Sequence, residues 1–405
     1  MQTYTHYKDS GIDWIGQIPE HWEIRRFKYL FNEINERSID GNEDLLSVSQ
    51  YTGVTKKSDK IDDGDLLTNA STLEGYKKVR KHQLVSNIML AWNGSLAFSE
   101  YNGITSPAYC IYELKHDDVY KYFHYLFKTD LYKSEFKRNS SGVIESRLRL
   151  YTDDFFSIWS VLPPIQEQEA IANFLDEKTT KIDALVQTKE QQIEKLKELR
   201  QAKIHQAVTK GLDANAPTKN SGVKWIGKIP EHWEMKRLKH LMRINNGLDY
   251  KHVQVDEGYP VIGSGGQFAY ASNYLYDGEV LFLGRKGTID KPLYYKGKFW
   301  TVDTMFYCVV NNMGITKYLY YFSTTIPFKY YSTATALPSM TQGDLNNHNI
   351  PTPPIQEQEQ IVAYLDEVTG KIDQAIAQKQ EQITKLKEYK QSLINDVVTG
   401  KVKVC

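Results

Sequence analysis

One long segment occurs twice in this chain. Residues 163–209 open Pro163-Pro164-Ile165-Gln166-Glu167-Gln168-Glu169, and residues 353–399 open Pro353-Pro354-Ile355-Gln356-Glu357-Gln358-Glu359, an offset of 190. The same offset carries Leu-Asp-Glu (175–177; 365–367), Lys-Ile-Asp (181–183; 371–373) and Lys-Leu-Lys-Glu (195–198; 385–388). A repeat this long restricts the chain to a duplicated architecture. Each copy predicts one long helix. Pro164 and Pro354 suit the first turn, where the missing N–H would have no partner anyway. The Gln/Glu cluster behind them sets negative charge at the positive end of the helix dipole. Gly211 and Gly400 follow the last apolar positions as stop residues. Apolar residues recur at three- and four-residue steps: Ile171, Leu175, Ile182, Leu185, Ile193, Leu196, Ile204 and Ala207, matched by Ile361, Leu365, Ile372, Ala375, Ile383, Leu386, Ile394 and Val397. Lys178, Lys189 and Arg200 interrupt this seam. A narrow stripe on a charged helix calls for one helical partner. That partner is a second molecule, as in a dimerisation coiled coil, or the other copy; the duplication within one chain favours the other copy. Residues 166–209 would span about 66 Å at about 1.5 Å per residue.

A second repeat precedes each helix. Ser10-Gly11-Ile12-Asp13-Trp14-Ile15-Gly16-Gln17-Ile18-Pro19-Glu20-His21-Trp22-Glu23 returns as Ser221-Gly222-Val223-Lys224-Trp225-Ile226-Gly227-Lys228-Ile229-Pro230-Glu231-His232-Trp233-Glu234 at an offset of 211. Each box runs into a basic segment, Arg25-Arg26-Phe27-Lys28 or Lys236-Arg237-Leu238-Lys239. The paired tryptophans point to a packed clasp. Neither His21 nor His232 has a second histidine at helical spacing, which favours a structural role over metal binding or catalysis. Between box and helix lie divergent segments, 31–162 and 242–352, that read as short strands broken by Gly, Asn and Asp turns and then a more helical stretch at 119–136 or 315–328. Tyr109-Cys110-Ile111 is matched with Tyr307-Cys308-Val309, and Gly94-Ser95 with Gly287-Thr288. The expected order is a first α+β domain at 1–162 (Trp box 10–30), a helix at 163–211, a second α+β domain at 212–352 (linker 212–220, Trp box 221–241) and a helix at 353–405. Antiparallel pairing of the helices would close the chain with pseudo-twofold symmetry, one domain at each end of a coiled-coil spacer.

Composition narrows the function. With 405 residues, 41% hydrophobic and 25% charged, the chain has the make-up of two or three globular domains. It contains no run of 18 apolar residues and its start lacks an apolar signal region, so neither a membrane span nor secretion is expected. Three scattered cysteines, Cys110, Cys308 and Cys405, argue against a disulfide framework or a zinc site and fit a reducing cytoplasm. A formal net charge of zero requires any DNA footprint to be local or shared with a partner. No phosphate-cradling Gly-x-x-x-x-Gly-Lys-Ser/Thr loop, amino-methyltransferase Asn-Pro-Pro-aromatic motif or metal-spaced His/Cys cluster occurs. The glycines at 263–266 read as a turn or a backbone-contact loop, and Glu388 with Lys390 as a solvated helix face.

The paired Trp-Ile-Gly-x-Ile-Pro-x-His-Trp boxes and paired Pro-Pro-Ile-x-Glu-Gln-x-x-Ile helix starts resemble the specificity subunit of type I restriction–modification enzymes across nearly the whole chain. The resemblance implies two target recognition domains, each reading one half of a bipartite double-stranded DNA site. It implies a conserved antiparallel spacer that docks two methyltransferase subunits, and motor–nuclease subunits that join for restriction. S-adenosylmethionine would sit on the methyltransferase partner, with no cofactor, metal or catalytic residue on this chain. Base reading needs donor and acceptor side chains. The candidates are Tyr51, Lys56, Lys57, Trp92, Asn93, Arg147 and Arg149 in the first domain, and Ser264, Gln267, Arg285, Lys286 and Thr288 in the second. Lys77, Lys78, Arg80, Lys81, Lys133, Lys137 and Arg138 are candidates for phosphate contacts, which position without specifying. Two other readings stay open: a fused methyltransferase or nuclease, and a coiled-coil adaptor that never touches DNA.

Overall fold

The computed structural model describes residues 2–60, 72–116, 119–328 and 338–404. Two compact units emerge, Met1–Thr188 with Gln382–Cys405, and Lys189–Glu381. Both boundaries fall inside long helices, so each unit contains the start of one helix and the end of the other. This partition differs from the domain–helix–domain–helix order along the sequence.

The two units share a sheet plan. In the first unit, strands Phe31–Ile34, Cys110–Leu114, Leu84–Ser86 and Leu96–Phe98 lie side by side in that order, all antiparallel. In the second, Met242–Asn246, Met305–Val310, Tyr276–Gly284 and Leu293–Thr301 repeat the order. That sheet then gains Tyr259–Gly263, Gly266–Ala271 and Gln254–Val255. In the first unit the corresponding hairpin, Leu46–Ser49 with Gly53–Lys56, stays outside the sheet. It lies against the fourth strand, close enough that a Cβ on Gly53 would sit 3.4 Å from Ala97 Cβ.

Register corrects one sequence match. Lys115 N–H donates to Leu30 O at 2.8 Å, and Asn311 N–H donates to Leu241 O at 2.9 Å. Leu114 faces Phe31 and Val310 faces Met242. Tyr112 therefore corresponds to Cys308, and Cys110 to Phe306. The Cys110–Cys308 match is two residues out, a slip that leaves every side chain on its own face of the sheet. Cys110 and Cys308 are both free thiols, Cys308 buried, and burial pushes its thiol pKa up; Cys405 lies outside the described residues.

The Trp boxes fold as hairpins, Tyr7–Asp9 with Gln17–Pro19 and Thr218–Asn220 with Lys228–Pro230. Trp22 and Trp233 are fully buried. After each box a strand pairs with the strand just before the Pro-Pro motif: Glu23–Arg26 with Trp159–Leu162, and Glu234–Arg237 with Asn349–Thr352. Box and helix start are thereby joined across the whole domain between them.

The long helices run Ile165–Lys210 and Ile355–Val398, 46 and 44 residues. Gly211 and Gly400 follow them at φ 74° and 78°, the left-handed conformation that favours glycine. Within the first unit, Lys390 Nζ meets Asp183 at 2.6 Å while the end of the second helix reaches the first box, so the segments run antiparallel. Within the second unit, Arg200 Nε meets Asp373 at 3.0 Å. Of the seam residues, Ile171, Leu175, Ile182, Ile193, Ile361, Leu365, Ile372 and Ile383 are buried, and Leu196 and Leu386 are half-buried. Leu185 is 51% exposed, and Val186 takes its place in the seam. Thr179 is buried two turns earlier, and the half-buried Lys189 and Arg200 keep the three–four rhythm rather than break it. Ile361, Leu365, Ile204, Ala207 and Val208 join the second domain's core with Trp233, Tyr318 and Leu319, so the helix ends are domain core as well as spacer.

A hydrogen-bond network fixes domain to helix in the same way in both units. Gln168 and Gln358, both buried, accept from the backbone N–H of Val119 and of Ile315 at 3.0 Å. Their amides donate back to Pro163 O and Pro353 O. The helices that follow, Tyr120–Phe127 and Thr316–Ser323, carry Lys-Tyr-x-x-Tyr. Lys121 and Tyr125 hold Asp176, and Lys317 and Tyr321 hold Asp366, at 2.5–2.7 Å. Tyr122 and Tyr318 are wholly buried, and each shares its hydroxyl proton between the carbonyl of a long helix's last turn (Val398; Val208) and a strand carbonyl (Val161; Pro351). His21 and His232 donate to Glu167 and Glu357 in the first helical turn, at 2.5 and 2.8 Å, the structural role their spacing suggested.

Candidate nucleic-acid interface

In each unit the connection from the third to the fourth strand meets the segment preceding the last short helix. Leu150 N–H donates to Ile88 O at 3.0 Å, and Met340 N–H donates to Arg285 O at 2.9 Å. Beside these bonds, Ser141 bridges Arg149, and Lys286 bridges Ser339. The same place in the fold thus gathers Trp92, Asn93, Arg147 and Arg149 in the first unit and Arg285, Lys286 and Thr288 in the second. The Gly263–Gly266 turn lies at the same end of its sheet: Ile262 pairs with Thr301, and Arg285 N–H donates to Thr304 O three residues on. Ser264 and Gln267 therefore flank the same edge as Arg285. Tyr51, 87% exposed, tips the corresponding hairpin of the first unit.

These side chains differ in readiness. Arg147, Gln267 and Lys286 are exposed. Arg285 is steadied by Asp303 O at 3.2 Å and by the Phe306 ring, and Arg149 by Ser146 O and Leu148 O. Trp92 donates to Met89 O, and Lys137 lies over its ring at 5.4 Å. Asn93 accepts from Ser95 Oγ, Thr288 is half-buried, and Lys57 lies in a 3-10 turn beside the hairpin.

The phosphate candidates need one correction. Lys77 is buried against Glu33 at 3.6 Å and cannot meet a phosphate; in a strand its neighbour Lys78 faces the other way. Each of the others has a carboxylate partner: Lys78 with Glu36 and Glu43, Arg80 with Glu36, Lys81 with Glu100, Lys133 with Asp130, Lys137 with Glu145 and Arg138 with Glu135; so has Lys56, a base-reading candidate, with Asp44. This patch carries little net positive charge. Sequence reasoning missed the 338–340 segment, although the offset of 190 continues backward to pair residues 148–152 with 338–342.

No helix among the described residues is long and apolar enough to cross a membrane, and no group of three or more His, Cys, Asp or Glu among them could hold a metal ion. Two copies of one α+β domain, each presenting loops at its strand ends and each built around the ends of long antiparallel helices, define a duplicated recognition scaffold. The family model for the type I restriction modification DNA specificity domain matches residues 19–195 and again 230–385, and the chain belongs to that family: it is a DNA-recognition subunit, not the catalytic one. The MjaVIII specificity subunit of Methanocaldococcus jannaschii is 25% identical over 442 residues, covering 96% of this chain and 94% of the relative. The EcoKI specificity subunit of Escherichia coli K12 is 22% identical over 386 residues, covering 85% and 77%. Among solved structures, a chain from a type I R-M system studied for its complex assembly and conformational transition superposes at TM-score 0.73 with 14% identity, covering 95% of this chain and 99% of that one. The HsdS subunit of Thermoanaerobacter tengcongensis gives 0.55 with 16% identity, covering 99% and 100%. At these identities the structural likeness speaks for the fold.

Proposed function

We propose that each unit reads one half of a bipartite duplex through the loops at its strand ends, and that the paired helices set the gap between the halves. The observation that carries this reading is the recurrence of the 88–94 and 147–150 loops at the place of 285–288 and 338–340, with different side chains on the same backbone bonds. Arg147, Arg149 and Arg285 are suited to guanine, and Asn93 and Gln267 to adenine. A helix of 46 residues is about 69 Å long, close to two turns of B-DNA at roughly 34 Å each. Two methyltransferase subunits, each binding its own S-adenosylmethionine, dock on the exposed faces of the helices. Motor–nuclease subunits join that assembly for restriction, and the complex works in the cytoplasm. The test is to replace residues 31–162 with another such domain and sequence the host methylome. One half of the methylated site should change and the other stay. A change in both halves, or in neither, defeats the one-domain-one-half reading.

A further inference from the structure

We propose that a groove along the open edge of the second unit's sheet binds the sugar–phosphate backbone of the duplex whose bases the neighbouring loops read. The proposal rests on the DNA-reading assignment above. Met242–Asn246 is the first strand of its sheet and has a neighbour on one side only. The helix Gln342–Asn347 lies along its free side, with Gln342 Nε2 donating to Ile244 O at 2.8 Å. Between them runs a groove of about 990 Å³.

Its chemistry suits a polyanion. Lys239 and Arg243 are exposed along it, joined by the amides of Asn246, Asn311 and Gln342 and the ring of Tyr307. Among the described residues no carboxylate lines the groove or lies within ion-pair distance of either cation. This is the reverse of Lys56 and Lys81 in the first unit, which have acidic partners. Cations with amide donors and no acid are the groups that take phosphate oxygens.

Its position suits the same duplex. At the Asn246 end, Gly247 N–H donates to Met305 O, next to Thr304, whose carbonyl accepts from Arg285 N–H. Gln342 follows by two residues the Met340 that bonds Arg285 O. The groove therefore runs into the reading loops of its own unit. Among the described residues its pair of cations recurs only in part, since Lys239 falls at Lys28 of the first unit. By strand register Arg243 falls at Asn32 of the first unit and Ile244 at Glu33, a carboxylate already engaged with Lys77. A dock for a partner present in two copies should recur, as the Lys-Tyr-x-x-Tyr network does. A backbone contact made by one of two divergent domains need not.

The test uses the full chain assembled with its methyltransferase subunits, and two duplexes: one carrying the site found by methylome sequencing, one of scrambled sequence. Lys239→Gln with Arg243→Gln should weaken both duplexes by the same factor. It should also flatten the slope of log K against log salt by about 1.8, because two phosphate contacts release about 0.9 counterion each. The methylated sequence should not change, and Lys239→Arg with Arg243→Lys should restore the slope. An unaltered slope in the glutamine variant, where Arg285→Ala still impairs binding of the specific duplex, overturns the groove and leaves the reading loops standing. Loss of methyltransferase co-elution in the glutamine variant overturns it in favour of a protein dock. If neither the groove nor the loop variants affect DNA, the underlying DNA-reading assignment falls too.

Discussion

Tyr318→Phe removes one oxygen from a fully buried site and leaves the packing volume intact. That oxygen donates to the carbonyl of Val208, in the last turn of the first long helix, where no further helical N–H exists to donate to it. It also lies 2.8 Å from Pro351 O in the strand that leads into the second long helix. Losing a hydrogen bond costs about 1 kcal/mol net, and a buried carbonyl left without a partner adds to that, so about 1–2 kcal/mol is expected. Because burial raises the phenol pKa well above its ordinary value, the hydroxyl is a donor at any neutral or acid pH, and the effect should be pH-independent. A two-unit chain need not unfold in one step, so the assay is native-state hydrogen exchange read by mass spectrometry. Amides at the end of the first helix and in Asn349–Thr352 should exchange roughly 5–30 times faster. Amides of the first unit should be unaffected. Tyr122→Phe should give the mirror result at the end of the second helix, through Val398 and Val161. Less than a twofold change, or an equal change in both units, would refute the view that these hydroxyls cap the long helices.

Leu185→Gln should alter stability by no more than about 0.5 kcal/mol, whereas Val186→Gln, one residue on, should cost several times that, as judged by thermal melting. Ile182→Asp with Ile372→Asp places a charge at each of two buried seam positions and should abolish assembly with the partner subunits by size exclusion; a stable, active complex would remove the helix pair from the spacer role. Burial raises the Glu167 carboxyl, but hydrogen bonds from Trp22, His21 and Tyr4 outweigh it and hold its pKa below the ordinary 4.5. A depressed carboxylate stabilises the fold above its unfolded pKa and loses that contribution as pH falls through its folded pKa. The Trp22 indole N–H, followed by NMR, should lose exchange protection as pH drops below about 4.5, and Glu167→Gln should remove this acid dependence.

What the sequence disclosed was what local chemistry encodes. The Pro-Pro starts and the Gly211 and Gly400 stops depend on a few adjacent residues, and the helices begin and end there. The choice between Leu185 and Val186 depends on how far the seam drifts around the helix, and this is set by the buried Thr179, a residue no hydrophobic count includes. The two-residue slip at Cys110 preserved face and alternation, so only hydrogen-bond register could expose it. Lys77 and Lys78 look identical in sequence; strand geometry buries one and turns the other outward. The Lys-Tyr-x-x-Tyr repeat was visible at a constant offset of 196, but the domain around it has diverged too far for composition or periodicity to single it out.

The duplication has been kept unevenly, and the unevenness separates scaffold from reader. The bonds that recur join a domain helix to the Leu-Asp-Glu aspartate, the Pro-Pro glutamine and the last turn of a long helix. All of them lie where domain meets helix. The contacts that differ lie at the strand ends and along the sheet edge, where Arg285 stands in place of Ile88 and Arg243 in place of Asn32. One difference falls within the scaffold itself: Trp22 donates its indole N–H to Glu167 at 3.0 Å, with Tyr4 beside it, while the buried Trp233 indole finds no acceptor among the described residues. An unpaired buried donor costs about 1–3 kcal/mol, so the second clasp should be the weaker of the two. The first clasp also draws on both ends of the chain, since Lys403 N–H donates to Gln2 O at 2.8 Å and Tyr7 donates to Gly400 O at 3.1 Å. In the second unit the covalent chain does that work, running straight from Gly211 into the Thr218–Asn220 hairpin. Among the described residues Glu167 accordingly has three donors where Glu357 has one.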